Sequence, residues 1–195
     1  MINLTTTPLP LLTNLMGLTP DEIAEVSQNH GWPRFRATQI LRWIHQRRAQ
    51  TIDQMTDIAL ADRATLNTEL SFQRLEASEV LTAQDGTKKF IFRLADGLTV
   101  ESVVIPDEDR LTLCLSTQVG CTLDCNFCLT ATMGLKRNLK GGEIVDQVLS
   151  VLDQLGPEER LSNYVFMGMG EPLANLDAVT DAITRMTDQT WGLGI

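Results

Sequence analysis

Leu111-Thr-Leu-Cys-Leu-Ser-Thr-Gln-Val-Gly-Cys-Thr-Leu-Asp-Cys-Asn-Phe-Cys128 runs from a short apolar strand directly into a cysteine loop. The strand, Leu111 to Ser116, is of the buried kind. Downstream the period becomes helical. Between Gly142 and Leu155 the residues Ile144, Val148, Val151, Leu152 and Leu155 share one face, and Gly156 supplies a stop. A second buried strand is predicted over Ser162 to Met167, followed by a glycine loop and a helix from about Asn175 to Met186. Strand, loop, helix, strand, loop, helix implies parallel strands with right-handed crossovers. That order opens an α/β barrel. Two such units cannot close a barrel or cover both faces of a sheet, so the chain is expected to be a fragment or a truncated product.

Upstream the pattern differs. Thr19-Pro20-Asp21-Glu22 carries a helix cap, a first-turn proline and the glutamate of a capping box, and Gly31 ends that helix. A second helix is predicted from Phe35 to Arg48, with Ile40, Trp43 and Ile44 on one stripe, and a third from Ile58 to Leu70. After Ser71 the period drops to two: Phe90, Phe92 and Leu94 alternate with Lys89, Ile91 and Arg93. Asp85-Gly86 and Asp96-Gly97 are hairpin signals, so Glu79 to Ile105 reads as a three-stranded antiparallel meander. Pro106-Asp-Glu-Asp109 reads as a hinge. The expected organisation is an α+β module over residues 1–106 and the start of a second domain over 107–195.

The net charge of -9 argues against a nucleic-acid partner until its distribution is considered. Asn29 to Ile52 contains no acid but holds Arg34, Arg36, Arg42, Arg47 and Arg48, and the acid-free window Asn126 to Gly142 holds Lys136, Arg137 and Lys140. On charge alone, an RNA footprint and a solvated helix face stand level. No apolar run approaches the roughly 18 residues of a membrane span. The N-terminal stretch from Met1 to Leu18 lacks the features of a secretion signal, so a cytoplasmic protein is expected.

All four cysteines fall between Cys114 and Cys128, which points to metal or redox chemistry rather than a disulfide framework. Cys121, Cys125 and Cys128 have the spacing C-x3-C-x2-C. Three thiolates on so short a loop suit a soft centre, either zinc or an iron–sulfur cluster. A structural zinc site takes four ligands. The nearest histidine, His45, is far back in the chain, and Cys114 lies on the preceding strand. Three ligands on a four-iron cube leave one iron open to a substrate. Cys114 alternates with leucines and Glu101 lies on a strand, so packing and an outward-facing acid are the ordinary readings of each.

The cysteine motif, with Phe127 between its last two cysteines, closely resembles that of the radical S-adenosylmethionine (radical SAM) enzymes. Gly170-Glu171, one β/α unit later, is similar to their loop that meets the amino group of S-adenosylmethionine. Longer stretches resemble one branch, the RlmN/Cfr family of RNA adenine methyltransferases. They are Cys114-Leu-Ser-Thr-Gln-Val-Gly-Cys121, Lys136-Arg-Asn-Leu139, Gly142-Glu-Ile144, Met167-Gly-Met-Gly-Glu-Pro-Leu173, Phe35-Arg-Ala-Thr-Gln-Ile40, Trp43-Ile44, Asp85-Gly-Thr-Lys88 and Glu101-Ser-Val-Val-Ile-Pro106.

The resemblance implies an incomplete radical-SAM-type partial (β/α) barrel behind a small α+β module that helps bind RNA. It implies a 4Fe–4S cluster on Cys121, Cys125 and Cys128, with S-adenosylmethionine as cofactor. The activity implied is methylation of carbon 2 of an adenine in large-subunit ribosomal RNA, and in some members transfer RNA, with an external electron donor such as a flavodoxin-type reductant. That chemistry passes through a methylated cysteine near the family's C-terminus. Cys114 matches the cysteine that releases the RNA crosslink through a transient disulfide, and Glu101 the proton acceptor. No cysteine follows Cys128, so the chain as it stands is expected not to turn over. The competing readings are another radical SAM enzyme and a non-catalytic zinc or cluster-containing RNA-binding protein.

Overall fold

The computed structural model describes residues 12–195, so the first part of the stretch judged free of a secretion signal lies outside the described residues. Thr19 caps helix α1 (Pro20–Asn29): its side chain accepts from the Glu22 amide while Glu22 reaches back to the Thr19 amide, a complete capping box. Helix α2 (Phe35–His45) stops earlier than predicted. Arg48 takes φ +50°, and the amides of Arg47 and Ala49 turn back onto the carbonyls of Arg42 and Trp43. This is a left-handed helix end made without glycine. Helix α3 (Leu60–Glu69) completes the helical part.

Strands β1 (Ala77–Thr82), β2 (Lys88–Arg93) and β3 (Thr99–Asp107) form the expected antiparallel meander. Pro106–Asp109, read as a hinge, is instead the tip of a further hairpin, with Pro106 and Asp107 still paired on β3 and Glu108-Asp109 as its turn. Glu108 sits at φ +52°, and β3 pairs antiparallel with β4 (Arg110–Cys114), Asp107 opposite Arg110 and Val103 opposite Cys114. The sheet therefore runs without a break across the 106/107 division. After the cysteine loop, the short helix α4 (Leu129–Thr132) and the long helix α5 (Gly141–Leu152), strand β5 (Leu161–Val165) joins β4 in parallel. The order is β1-β2-β3-β4-β5, one sheet with a single parallel pair at one edge. Helix α6 (Leu176–Thr187) follows and packs on α5.

One face of the sheet is covered. Phe90, Phe92, Val100, Val104 and Leu113 join Ile144, Val148 and Val151 of α5 and Ile23, Ile40 and Ile44 of the first helices in one apolar core. The alternate residues Lys89, Ile91, Glu101, Val103 and Ile105 face the other way and are half-buried or exposed. No helix in the described residues is long and apolar enough to cross a membrane.

An ion pair locks the link between α3 and β1 to α5. Arg74 and Asp146, each only 4 % exposed, are directly bonded; Asp146 also accepts from the Leu75 amide at 2.7 Å, and Ser150 donates to the Leu75 carbonyl at 2.6 Å. Removing one partner of such a pair strands the other charge in a dry site. Arg74→Met is expected to lower unfolding free energy by about 3–5 kcal/mol in urea melts, whereas substituting the exposed Arg110 is expected to change it by under ~1 kcal/mol.

Candidate cofactor site

Beyond its last paired residue, β4 continues to hold the chain that follows β5. The Leu115 amide donates to Val165, the Gly168 amide to Leu115, the Met169 amide to Ser116 Oγ, and the amides of Thr117 and Gln118 to Met169. The cysteine loop and the glycine loop are therefore laid side by side at the carboxyl ends of two neighbouring parallel strands, where α/β folds place ligands. The approach needs glycine. A Cβ on Gly168 would lie 2.7 Å from the Leu115 carbonyl oxygen, and one on Gly170 (φ +104°) would lie 2.6 Å from Gln118 Cβ.

Buried amides brace this arrangement from below. Gln147 of α5 accepts from Ser102 Oγ and the Ser116 amide and donates to the Ser116 carbonyl, tying β3, the end of β4 and the helix together. Asn175 donates to the carbonyls of Thr117 and Leu139 at 2.8 Å each. Gln118, Gln147 and Asn175 were absent from the sequence-predicted site. Their only signal was position: two uncharged polar residues on or beside apolar runs, and one just before a helix.

Cys121, Cys125 and Cys128 are free thiols, partly accessible on this loop. The Leu123 amide points at Cys121 Sγ at 3.4 Å, and the amides of Ala131 and Thr130 hold the Cys128 thiol below its ordinary range. The donors at Cys128 thus favour its thiolate, the form that binds metal. Among the described residues no three His, Cys, Asp or Glu side chains converge tightly enough for a single ion. A cubane holds its thiolates farther apart than one ion does. Around the loops stand Phe127 at 93 % exposure, Leu129 at 82 % and Met167 at 79 %, an uncommonly bare apolar rim. Three accessible thiols, amides aimed at two of them and an apolar rim fit an open-sided cluster.

Glu171, predicted to meet an ammonium group, caps the turn that follows by accepting from the Leu173 amide at 2.9 Å, and its own amide donates to Gln118 Oε1 at 2.9 Å. Cys114 and Glu101 share the uncovered face of the sheet. Cys114 stands opposite Val103, two residues along β3 from Glu101. Cys114 is buried yet takes no part in the apolar core, and burial pushes its thiol above the ordinary range. Glu101 pairs with Lys89 of β2 at 3.2 Å, and its carbonyl accepts from Ser116 Oγ at 2.5 Å.

The arginine-rich window is less open than its composition suggested. Arg36 pairs with Asp62, Arg47 with Asp57 while stacking over Trp43 at 4.3 Å, and Arg48 with Asp153. Arg42 donates to the Thr190 carbonyl. Arg137 is held by Asp96 and Glu143. Arg34 and Lys136 remain exposed.

Comparisons with known proteins give the fold and site a class. Residues 115–191 match the radical SAM superfamily, and residues 13–71 match the ribosomal RNA large subunit methyltransferase N-terminal domain. A crystal structure of a radical SAM methyltransferase from Sphaerobacter thermophilus superposes with a TM-score of 0.82 at 37 % identity, over 94 % of this chain and 54 % of that one. The chain is thus a radical SAM protein, and the class carries a 4Fe–4S cluster and S-adenosylmethionine as its cofactors. Within that class it belongs to the RlmN family. The dual-specificity RNA methyltransferase RlmN of Geotalea uraniireducens is 47 % identical over 175 residues, and that of Alkalilimnicola ehrlichii 46 % over 176, each across 90 % of this chain. The chain spans about half the length of these relatives, 50 % and 49 %.

The two kinds of cysteine are expected to separate chemically. In metal-free protein at neutral pH, iodoacetamide is expected to label Cys121, Cys125 and Cys128 at least about tenfold faster than Cys114, as read by peptide mass spectrometry. Equal labelling would mean that burial does not shield the Cys114 thiol.

Proposed function

We propose that this chain is the cofactor-binding half of an RNA methyltransferase that modifies carbon 2 of adenine in large-subunit ribosomal RNA, and in some relatives transfer RNA. The observation that carries this reading is the juxtaposition at the end of β4. The cysteine loop, the Gly170-Glu171 loop and the pair Cys114 and Glu101 all meet there. The relatives' name, dual-specificity RNA methyltransferase, supports the substrate class.

Cys121, Cys125 and Cys128 are assigned to hold the cluster through three of its irons, with Phe127 beside it. The backbone of Gly170 and the carboxylate of Glu171 are assigned to receive the ammonium end of S-adenosylmethionine. When bound, the cluster and S-adenosylmethionine supply the electron and the radical that an unreactive aromatic carbon demands. Glu101 is assigned as the acceptor of the proton that leaves the adenine carbon, and Lys89, at 3.2 Å, holds its carboxylate in place as a positioning residue. Burial keeps Cys114 protonated until a partner reaches it, which suits a thiol that acts once, late, to release the RNA. Residues 1–106 are assigned the RNA contact, with Arg34 and Phe35 exposed at the start of α2. An external one-electron donor of flavodoxin type completes the scheme.

Anaerobic reconstitution with iron and sulfide tests this reading. About four irons and four sulfides per chain are expected, lost on changing Cys121, Cys125 or Cys128 to alanine and retained in Cys114→Ala. Stoichiometric zinc without sulfide, or loss of the cluster in Cys114→Ala alone, overturns the assignment.

A further inference from the structure

Gln118 lies three residues before the first cluster cysteine, and its side chain is completely buried. Its Oε1 accepts from the Thr122 amide at 3.2 Å and from the Glu171 amide at 2.9 Å. Its Nε2 donates to Thr122 Oγ1 at 2.9 Å and to Asn138 Oδ1 at 2.8 Å. Both lone pairs and both protons of the amide are therefore used. Thr122 stands inside the cysteine loop, between Cys121 and Cys125; Glu171 ends the glycine loop. One carbonyl oxygen thus holds a backbone amide from each loop. Backbone contact reinforces the join, because the Gln118 amide donates to Met169 and Gly170 has no side chain where it meets Gln118 Cβ. Gln118 itself is closed off from water, so a bond lost from its side-chain amide is not readily replaced there, and the two loops are held to move together.

We propose that Gln118 is a positioning residue that couples the two loops, so that filling the cysteine loop orders the Gly168–Glu171 loop in advance of the second ligand. The inference rests on the reading that the cysteine loop takes the cluster. It adds that occupancy is transmitted, and that the side-chain amide of Gln118 transmits it.

Hydrogen exchange followed by mass spectrometry on the full chain, before and after anaerobic loading with ferrous iron and sulfide, tests the coupling. In the unsubstituted chain, loading is expected to slow exchange across residues 168–173 by roughly fivefold, the weight of one net hydrogen bond. Gln118→Met keeps the volume but not the amide, and is expected to bind the same iron and sulfide without slowing that loop. Gln118→Glu keeps the shared acceptor and is expected to preserve the response. If Gln118→Met does not fold, Gln118→Asn, one methylene too short to reach both amides, takes its place with the same expected loss. The proposal is overturned if loading leaves the loop unchanged in the unsubstituted chain, if Gln118→Met still transmits, or if Gln118→Met loses the cluster itself. Should the unsubstituted chain take up no cluster, the functional reading fails. Gln118 is then judged in the metal-free protein, where Gln118→Met must speed exchange at Thr122 and Glu171 together or the coupling is refuted.

Discussion

The site hangs on the parallel pairing of β4 with β5 and on its continuation past both strand ends. Parallel neighbours send their carboxyl ends the same way, so whatever follows each strand emerges beside the other. Here the ladder does not stop at the strands: Leu115, Ser116 and Thr117 go on bonding to Val165, Gly168 and Met169. Two loops that carry different chemistry are thereby built as one surface. The glycines at 168 and 170 permit the approach, and Gln147 from below satisfies the polar groups that this close packing takes out of water.

Much of this was legible in the sequence because it rests on local pattern. The alternation around Phe90 and the stripe from Ile144 to Leu155 each encode a period that burial on one face requires. The cysteine spacing stood out for a different reason, since three thiols on so short a loop point to metal or redox chemistry, while Gly170-Glu171 stood out only through the family resemblance. Gln118 and Gln147 were not legible as site residues. A glutamine declares nothing about its partners, and the farthest of theirs lie 53 and 45 residues away in the chain. Pro106-Asp-Glu-Asp109 misled because a proline followed by acids looks like a linker. In the structure β2 has already ended there, so the proline lies where β3 has only β4 as a neighbour.

Charge misled in a related way. Windows without acids left an RNA footprint and a solvated helix face level, but the acids arrive from elsewhere: Asp57 and Asp62 from just beyond the window, Asp153 from α5's end, Asp96 from a hairpin turn. What a phosphate meets is the folded field, in which these guanidinium groups are already engaged. Several of the same arginines instead bind the described parts together. Arg42 reaches the segment before Trp191, and Trp191 lies against the ring of His45. Burial holds that imidazole down to about 3, so it stays neutral and donates from Nδ1 to the Leu41 carbonyl.

The position of β5 at the rim of the sheet carries a cost of its own. The meander is made of hairpins whose partners are close in sequence, while β5 closes onto β4 only across the cysteine loop and helices α4 and α5. Closing that long connection costs more chain entropy than closing a hairpin, so the β4–β5 pairing is the contact that the local hairpins cannot supply. Because the Glu171 amide is held by Gln118 and the Gln118 amide donates to Met169, the glycine loop comes into register with the cysteine loop in the same event. Assembly of the surface that carries both loops is therefore set by one long-range closure rather than by the local hairpins.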